Sequence, residues 1–167
     1  MADVMEARTS AATIRNALAH TSWQGVFEGP PVPWFGVLMT RCALCIEGEA
    51  PLYTTGRLSG RDGEGPAGSI YVYTATRVIV AGAKGDDWDA PELSVKVLPR
   101  AALSALSLSA EASLYEDDLR KPWPGNVSVA ARYSDGSELT LPAERPTRSE
   151  AREPFAAFLP GLLSDLG

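Results

Sequence analysis

The sequence predicts a mainly β protein of the α+β class. We expect an antiparallel bent sheet or partly open barrel of about six or seven strands, capped by a C-terminal amphipathic helix and preceded by an N-terminal helical arm. Short apolar–polar alternations recur from residue 44 onward, glycine-rich turns separate them, and a broad apolar stripe closes the chain. These observations predict an N-terminal helix and strap over residues 1–43 and a β domain with its C-terminal helix over residues 44–167.

The N-terminal region is predicted to begin with one helix over residues 2–20. Its apolar residues recur at helical spacing and form a thin, alanine-rich stripe, which comprises Val4, Ala7, Ala11, Ile14 and Leu18. Such a helix is expected to lie against a larger body or a partner. Residues 25–33 contain two glycines and three prolines, and this composition predicts an extended strap.

Alternating residues predict the strands. The strongest candidate is residues 70–80, where β-branched and aromatic residues surround a threonine-rich middle, and we expect one continuous strand there. Shorter candidates lie at residues 52–58, 93–97, 103–108 and 127–133, although Leu103 and Leu106 also fit a helical turn. Residues 134–137 (Ser-Asp-Gly-Ser) predict a tight turn into a last strand at 138–141.

The chain ends in a predicted amphipathic helix. Thr147 and Glu150 have the spacing of a capping box. Pro154 and Pro160 predict a kink, or a late helix start near Glu153, because each removes an amide donor. The apolar stripe comprises Ala151, Phe155, Phe158, Leu159, Leu162 and Leu166.

Two motifs in the β region suggest a family. Gly48-Glu49 precedes the first predicted strand, and Thr74 is followed by the segment Arg77-Val-Ile-Val80. This pattern resembles the opening hairpins of bacterial pleckstrin-homology-like and GRAM-type domains, and the likeness extends over residues 44–166. The resemblance implies a β domain with a C-terminal helix, a binding or scaffolding role, and no conserved chemistry. The lipid-binding members have a first loop rich in lysine and arginine, whereas only Arg57 and Arg61 flank that loop here.

Charge and hydropathy exclude several function classes. Fifteen basic residues against 21 acidic ones give a net charge of −6, so we expect neither nucleic-acid binding nor peripheral membrane contact. The most apolar segment, residues 34–46, is too short for a membrane span and contains Arg41. The N-terminal residues do not resemble a secretory signal, and a cytoplasmic location is predicted.

Cys42-Ala-Leu-Cys45 is the one motif that matches a known chemistry. It could be a thiol-redox pair, or it could hold zinc shared between two chains, since this chain has only two cysteines and one histidine, His20. The favoured interpretation is a buried apolar segment, because free cysteine is among the most buried residue types. The sequence contains no nucleophile elbow and no phosphate loop, so we expect neither catalysis nor a cofactor.

Loop tryptophans supply the candidate binding residues. Trp88 and Trp123 lie in segments bordered by glycine or proline, and such residues often anchor protein interfaces. They could instead cap the ends of the barrel or pin the N-terminal strap, and the sequence supports both interpretations equally. The expected polar rim around the two tryptophans comprises Asp86, Asp87, Arg120 and Lys121. The first hypothesis is therefore a non-catalytic binding or assembly module that contacts another protein or a second copy of itself. The alternatives are the thiol or shared-zinc protein described above and a small-ligand or lipid carrier at the barrel mouth.

Overall fold

A computed structural model describes residues 3–30, 32–60, 64–115 and 123–167. These residues contain seven strands in two antiparallel sheets, with helices on both the N-terminal and the C-terminal side. The predicted α+β class, the strand number and the terminal helices are confirmed. Both sheets are open, and no closed barrel forms among the described residues. The chain forms two compact units, Met1–Arg100 and Ala101–Gly167, whereas the predicted boundary after residue 43 falls inside a helix.

The first unit begins with the predicted N-terminal helix, α1 (Val4–Leu18). Asp3 caps it, because its carboxylate accepts a hydrogen bond from the Met5 N–H at 3.3 Å. Only Ile14 and Leu18 are fully buried on this helix, which agrees with the thin apolar stripe in the sequence.

Residues 25–33 are predicted to form an extended strap, but two further helices occupy part of this segment and the residues after it. They are α2 (Gln24–Phe27) and α3 (Pro33–Ile46). Pro33 suits the first turn of α3, because its fixed φ is helical. A backbone N–H at this position would have no intrahelical acceptor, so proline loses no hydrogen bond there. The segment is so uniformly apolar that helical periodicity does not stand out. Its buried side is nevertheless helical in spacing and comprises Trp34, Phe35, Leu38, Met39, Cys42, Ala43 and Ile46.

The four-stranded sheet of this unit has the order β1-β2-β3-β4. Its strands are β1 (Tyr53–Ser59), β2 (Ala67–Tyr73), β3 (Arg77–Lys84) and β4 (Glu92–Pro99). The prediction of one continuous strand over 70–80 is wrong, because the chain reverses at residues 74–76. The Thr74 N–H donates to the Arg77 carbonyl at 2.9 Å, and the Arg77 N–H donates to the Thr74 hydroxyl at 3.1 Å. Apolar strands continue on both sides of this turn, so the pattern alone did not reveal it.

Trp23 anchors the helices to this sheet. The side chain is fully buried, and its Nε1–H donates to the Ser69 carbonyl at 3.0 Å. Gly56 on β1 and Gly68 on β2 leave room for the indole. A Cβ atom would lie 2.9 Å from an indole carbon at Gly56 and 2.8 Å from one at Gly68, and both distances are too short for a side chain. The buried cluster around it includes Ile14, Leu18, Leu38, Ile46, Ile70, Val72, Ile79 and Ala81.

The second unit contains the three-stranded sheet and the C-terminal helix. The strands, in spatial order, are β5 (Leu103–Ala110), β6 (Val127–Tyr133) and β7 (Glu138–Leu141). The predicted turn before β7 is confirmed: the Tyr133 N–H donates to the Ser137 carbonyl at 2.8 Å, and Gly136 has a φ of 89°.

The C-terminal helix, α4 (Glu153–Ser164), starts where the prolines predicted. It follows a short 3-10 turn at Ser149–Arg152, and it buries Phe155, Phe158 and Leu162. The expected capping box does not form, because Arg148 occupies the N-cap of the 3-10 turn and makes no side-chain cap bond.

Candidate functional site

The connection between β5 and β6 carries exposed apolar side chains. Tyr115 is 97% exposed, Leu114 is 71% exposed and Trp123 is 61% exposed. Large apolar residues with this much exposure in one connection commonly mark a contact surface. We call these three residues the apolar loop. Trp123 was a sequence-predicted site residue, whereas Leu114 and Tyr115 were missed, although an adjacent leucine and tyrosine in a polar connection are a usable signal.

Hydrogen bonds hold the base of the apolar loop in place. The Glu111 N–H donates to the Asn126 carbonyl at 3.0 Å, and the Ala112 N–H donates to the Pro124 carbonyl at 3.1 Å. These bonds extend the β5–β6 pairing beyond the strands, so they join the two ends of the connection close to Trp123. Gly125 has a φ of 72°, a conformation that favours glycine.

A pocket of about 360 Å³ lies beside this base. Glu111 lines this pocket, and its carboxylate accepts from the Arg145 guanidinium at 2.7 Å and from the Asn126 N–H at 3.2 Å. The Asn126 Oδ1 atom is buried and has no hydrogen-bond partner. The bonds of Glu111 and the backbone hydrogen bonds hold the base of the connection, whereas the three residues of the apolar loop stay exposed.

The other predicted tryptophan, Trp88, has a different environment. It is half-buried against the core of the first unit, and its ring meets the Trp34 ring edge-on with centroids 5.8 Å apart. Asp86 and Asp87 beside it are exposed, and the Asp87 carboxylate accepts from the Asp89 N–H at 3.0 Å. Trp88 and Trp123 therefore belong to different compact units.

The predicted rim residues Arg120 and Lys121 lie outside the described residues. The structure therefore places four of the six predicted contact residues, namely Trp88, Trp123, Asp86 and Asp87. Of these, Trp123 alone belongs to the apolar loop.

The cysteine motif lies on the C-terminal half of α3. Cys42 is buried in the core of the first unit and Cys45 is half-buried. Burial, followed by the neighbouring Cys45, raises the pKa of Cys42 to about 12, so its thiol stays protonated at neutral pH. Within the described residues, no three His, Cys, Asp or Glu side chains group together in a way that could hold a metal ion.

The thiol environment gives a direct prediction. In a Cys45→Ser variant, a disulfide reagent should label Cys42 at least about tenfold more slowly in the native protein than in the urea-unfolded protein, because only the thiolate reacts. A timed thiol titration of both states measures this ratio. Equal labelling rates in the native and the unfolded protein would instead support the thiol-redox alternative.

Glu49 joins the two motifs that resemble the pleckstrin-homology-like pattern. Its carboxylate accepts from the Thr76 N–H at 2.9 Å and from the Thr76 hydroxyl at 2.5 Å, and Arg77 Nε lies 3.6 Å away. Hydrogen bonds from the Thr74 and Thr76 side chains, together with the Arg77 charge, lower the pKa of Glu49 to about 2. The Arg77 guanidinium also donates to the Cys45 carbonyl at 3.0 Å. The motif residues therefore fasten the end of α3 to the β2–β3 turn.

No helix in the described ranges combines the length and hydropathy needed to cross a membrane. No protein-family model matches this chain, and no curated protein matches it significantly. The likeness to pleckstrin-homology-like and GRAM-type domains stays a prediction, and a functional proposal has to rest on the geometry.

Proposed function

We propose that this chain is a non-catalytic binding or assembly module and that it contacts another protein through the apolar loop. The observation that carries the proposal is the exposure of Leu114, Tyr115 and Trp123 in one connection whose base is fixed by hydrogen bonds. Tyrosine and tryptophan bury a large area and lose few rotamers on binding, so they are frequent interface anchors. We place this activity in the cytoplasm.

A protein partner suits the charge of the chain better than a phosphate-rich one. The net charge of −6 opposes the approach of nucleic acid or of an anionic lipid surface. Arg120 and Lys121 precede Trp123 in the sequence, and we propose them as the polar rim of this contact. The packing of Trp88 on Trp34 favours a role in the core for that residue, so the proposal depends on Trp123 rather than on both tryptophans.

The alternatives receive less support. The raised pKa of Cys42 disfavours a reactive thiol pair, and zinc binding through Cys42 and Cys45 would require a second chain. A ligand carrier would need a barrel mouth, whereas the described strands form two open sheets.

The proposal is tested with a Tyr115→Ser/Trp123→Ala double variant. Immobilised full-length wild-type and variant proteins are compared for the proteins they capture from lysate, quantified by mass spectrometry. We expect the loss of both anchors to weaken capture of the specific partner at least about tenfold, as for interface hot spots. The matched control is Val97→Ser, which removes an exposed apolar side chain from β4. Unchanged capture by the double variant, or binding to anionic vesicles instead, contradicts the proposal.

A further inference from the structure

The strand β5 lies at the edge of the three-stranded sheet. In the part of the chain that the structure describes, it pairs with β6 alone. Six of its eight residues are exposed, including Leu108 with 52% of its surface in contact with solvent. An edge strand presents a row of backbone N–H and C=O groups that specifically fits another extended chain.

This edge lacks the features that usually prevent strand pairing. The sequence of β5 is Leu-Ser-Ala-Leu-Ser-Leu-Ser-Ala, with no charged residue, proline or glycine. The edge strands of the other sheet differ, because β1 contains Arg57 and β4 contains Lys96. Lysine, arginine and proline on an edge oppose pairing with a further strand, so β5 is less protected than β1 and β4.

The pairing with β6 determines which backbone groups of β5 face outward. The Glu111 N–H points toward β6, where it donates to the Asn126 carbonyl. The register is regular from Ala105 to Ala110, so residues alternate in direction along this stretch. The N–H and C=O groups of Leu106 and Leu108 therefore point away from β6, toward the free edge.

We propose that two copies of this chain pair their β5 strands antiparallel about a two-fold axis at Ser107. Leu106 of each copy then lies opposite Leu108 of the other, and both residues have outward-facing backbone groups that can exchange hydrogen bonds. Their side chains lie on one face, and the small Ala105, Ser107 and Ser109 side chains lie on the other. The pairing joins the two three-stranded sheets into one continuous sheet.

The sequence of β5 favours a second copy over an unrelated strand. The proposed register is self-complementary, because leucine meets leucine and small residues meet small residues. Two copies that each carry a net charge of −6 repel each other over most of their surfaces. Because β5 has no charged residue, contact through this edge does not place like charges directly opposite each other. This inference rests on the proposed assembly function and names its partner as the chain itself, through a surface separate from the apolar loop.

The first test measures mass by light scattering over a dilution series of the full chain. We expect a species of twice 17.7 kDa that dissociates on dilution. Leu108→Lys should raise the dissociation constant at least about tenfold, because it places two ammonium groups beside the axis. Thr140→Lys is the matched control, since it adds the same charge at an exposed position of β7 and should leave the dimer unchanged.

The second test uses a disulfide that only the proposed register allows. Ser107 faces itself across the axis in a non-hydrogen-bonded pair, where the Cα atoms are about 4.5 Å apart and a disulfide can form. Ser107→Cys should therefore give a covalent dimer on a non-reducing gel after mild oxidation. Ser128→Cys, which is exposed on β6, should stay at the wild-type baseline set by Cys42 and Cys45.

Three results would overturn the inference: a monomer at every concentration, a dimer that Leu108→Lys leaves intact, or no crosslink through Ser107→Cys. The tests separate this inference from the proposed function. A monomer that still loses its captured partner with Tyr115→Ser/Trp123→Ala overturns only the β5 pairing. A dimer sensitive to Leu108→Lys, in a chain whose capture is insensitive to the double variant, overturns only the role of the apolar loop.

Discussion

Trp23→Ala is expected to destabilise the protein by about 3–5 kcal/mol, the range for removing a large buried aromatic side chain. The indole is fully buried and fills the space above Gly56 and Gly68. Its ring contacts Trp34 and Phe35 with centroid distances of 6.2 and 5.9 Å. The variant would leave a cavity between the helices and the sheet, and the Ser69 carbonyl would lose its indole donor.

The measurement is urea unfolding followed by far-UV circular dichroism, which does not depend on the tryptophan that is removed. Trp123→Ala is the matched control, because it deletes the same side chain at a position that is 61% exposed. We expect that control to change the unfolding free energy by less than about 0.5 kcal/mol. Equal costs for the two variants would show that Trp23 does not anchor the helices as described.

Local chemistry explains which parts of the fold could be predicted. The turn before β7 depends on Asp135 and Gly136, since the Asp135 carboxylate accepts from the Ser137 N–H at 2.8 Å and Gly136 adopts a positive φ. The start of α4 at Glu153 depends on Pro154 in its first turn. Both signals act within a few residues, so they are visible in the sequence without knowledge of distant contacts.

The missed elements lie where the sequence is uniformly apolar. Residues 34–46 have few polar positions to mark a helical phase, so α3 was not recognised. Residues 70–80 contain apolar strands on both sides of Thr74, so the pattern alone does not reveal the turn that the hydrogen bonds between Thr74 and Arg77 close.

In the candidate site, too, local sequence predicts some features, whereas tertiary contacts determine others. The proline and glycine that border Trp123 leave two interpretations open, an interface anchor or a cap on the barrel, and the structure leaves its side chain exposed. Trp88 has similar neighbours in the sequence, yet it packs on Trp34, which belongs to α3 and is distant in the sequence. The edge position of β5 follows from the order of the strands, which depends on tertiary pairing and has no local sequence signal.

Glu49→Gln is expected to cost about 1–2 kcal/mol near pH 7, because hydrogen bonds to a charged group are stronger than neutral ones and this side chain is only partly shielded from solvent. The folded state lowers the pKa of Glu49 from 4.5 to about 2. The stabilisation is therefore fully present above about pH 4.5 and is lost as the pH falls toward 2. The stability of the wild type should approach that of the variant across this window.

Urea unfolding of both proteins at several pH values between about 7 and 3 measures the narrowing difference. Glu47→Gln is the matched control, because Glu47 also pairs with Arg77, but its side chain is 64% exposed. An exposed ion pair contributes little, so we expect the control to cost less than about 0.5 kcal/mol. If both variants cost the same, or if the Glu49→Gln difference stays constant down to pH 3, the carboxylate does not fasten the β2–β3 turn to the end of α3. The two motifs that resemble the pleckstrin-homology-like pattern would then not be linked through Glu49.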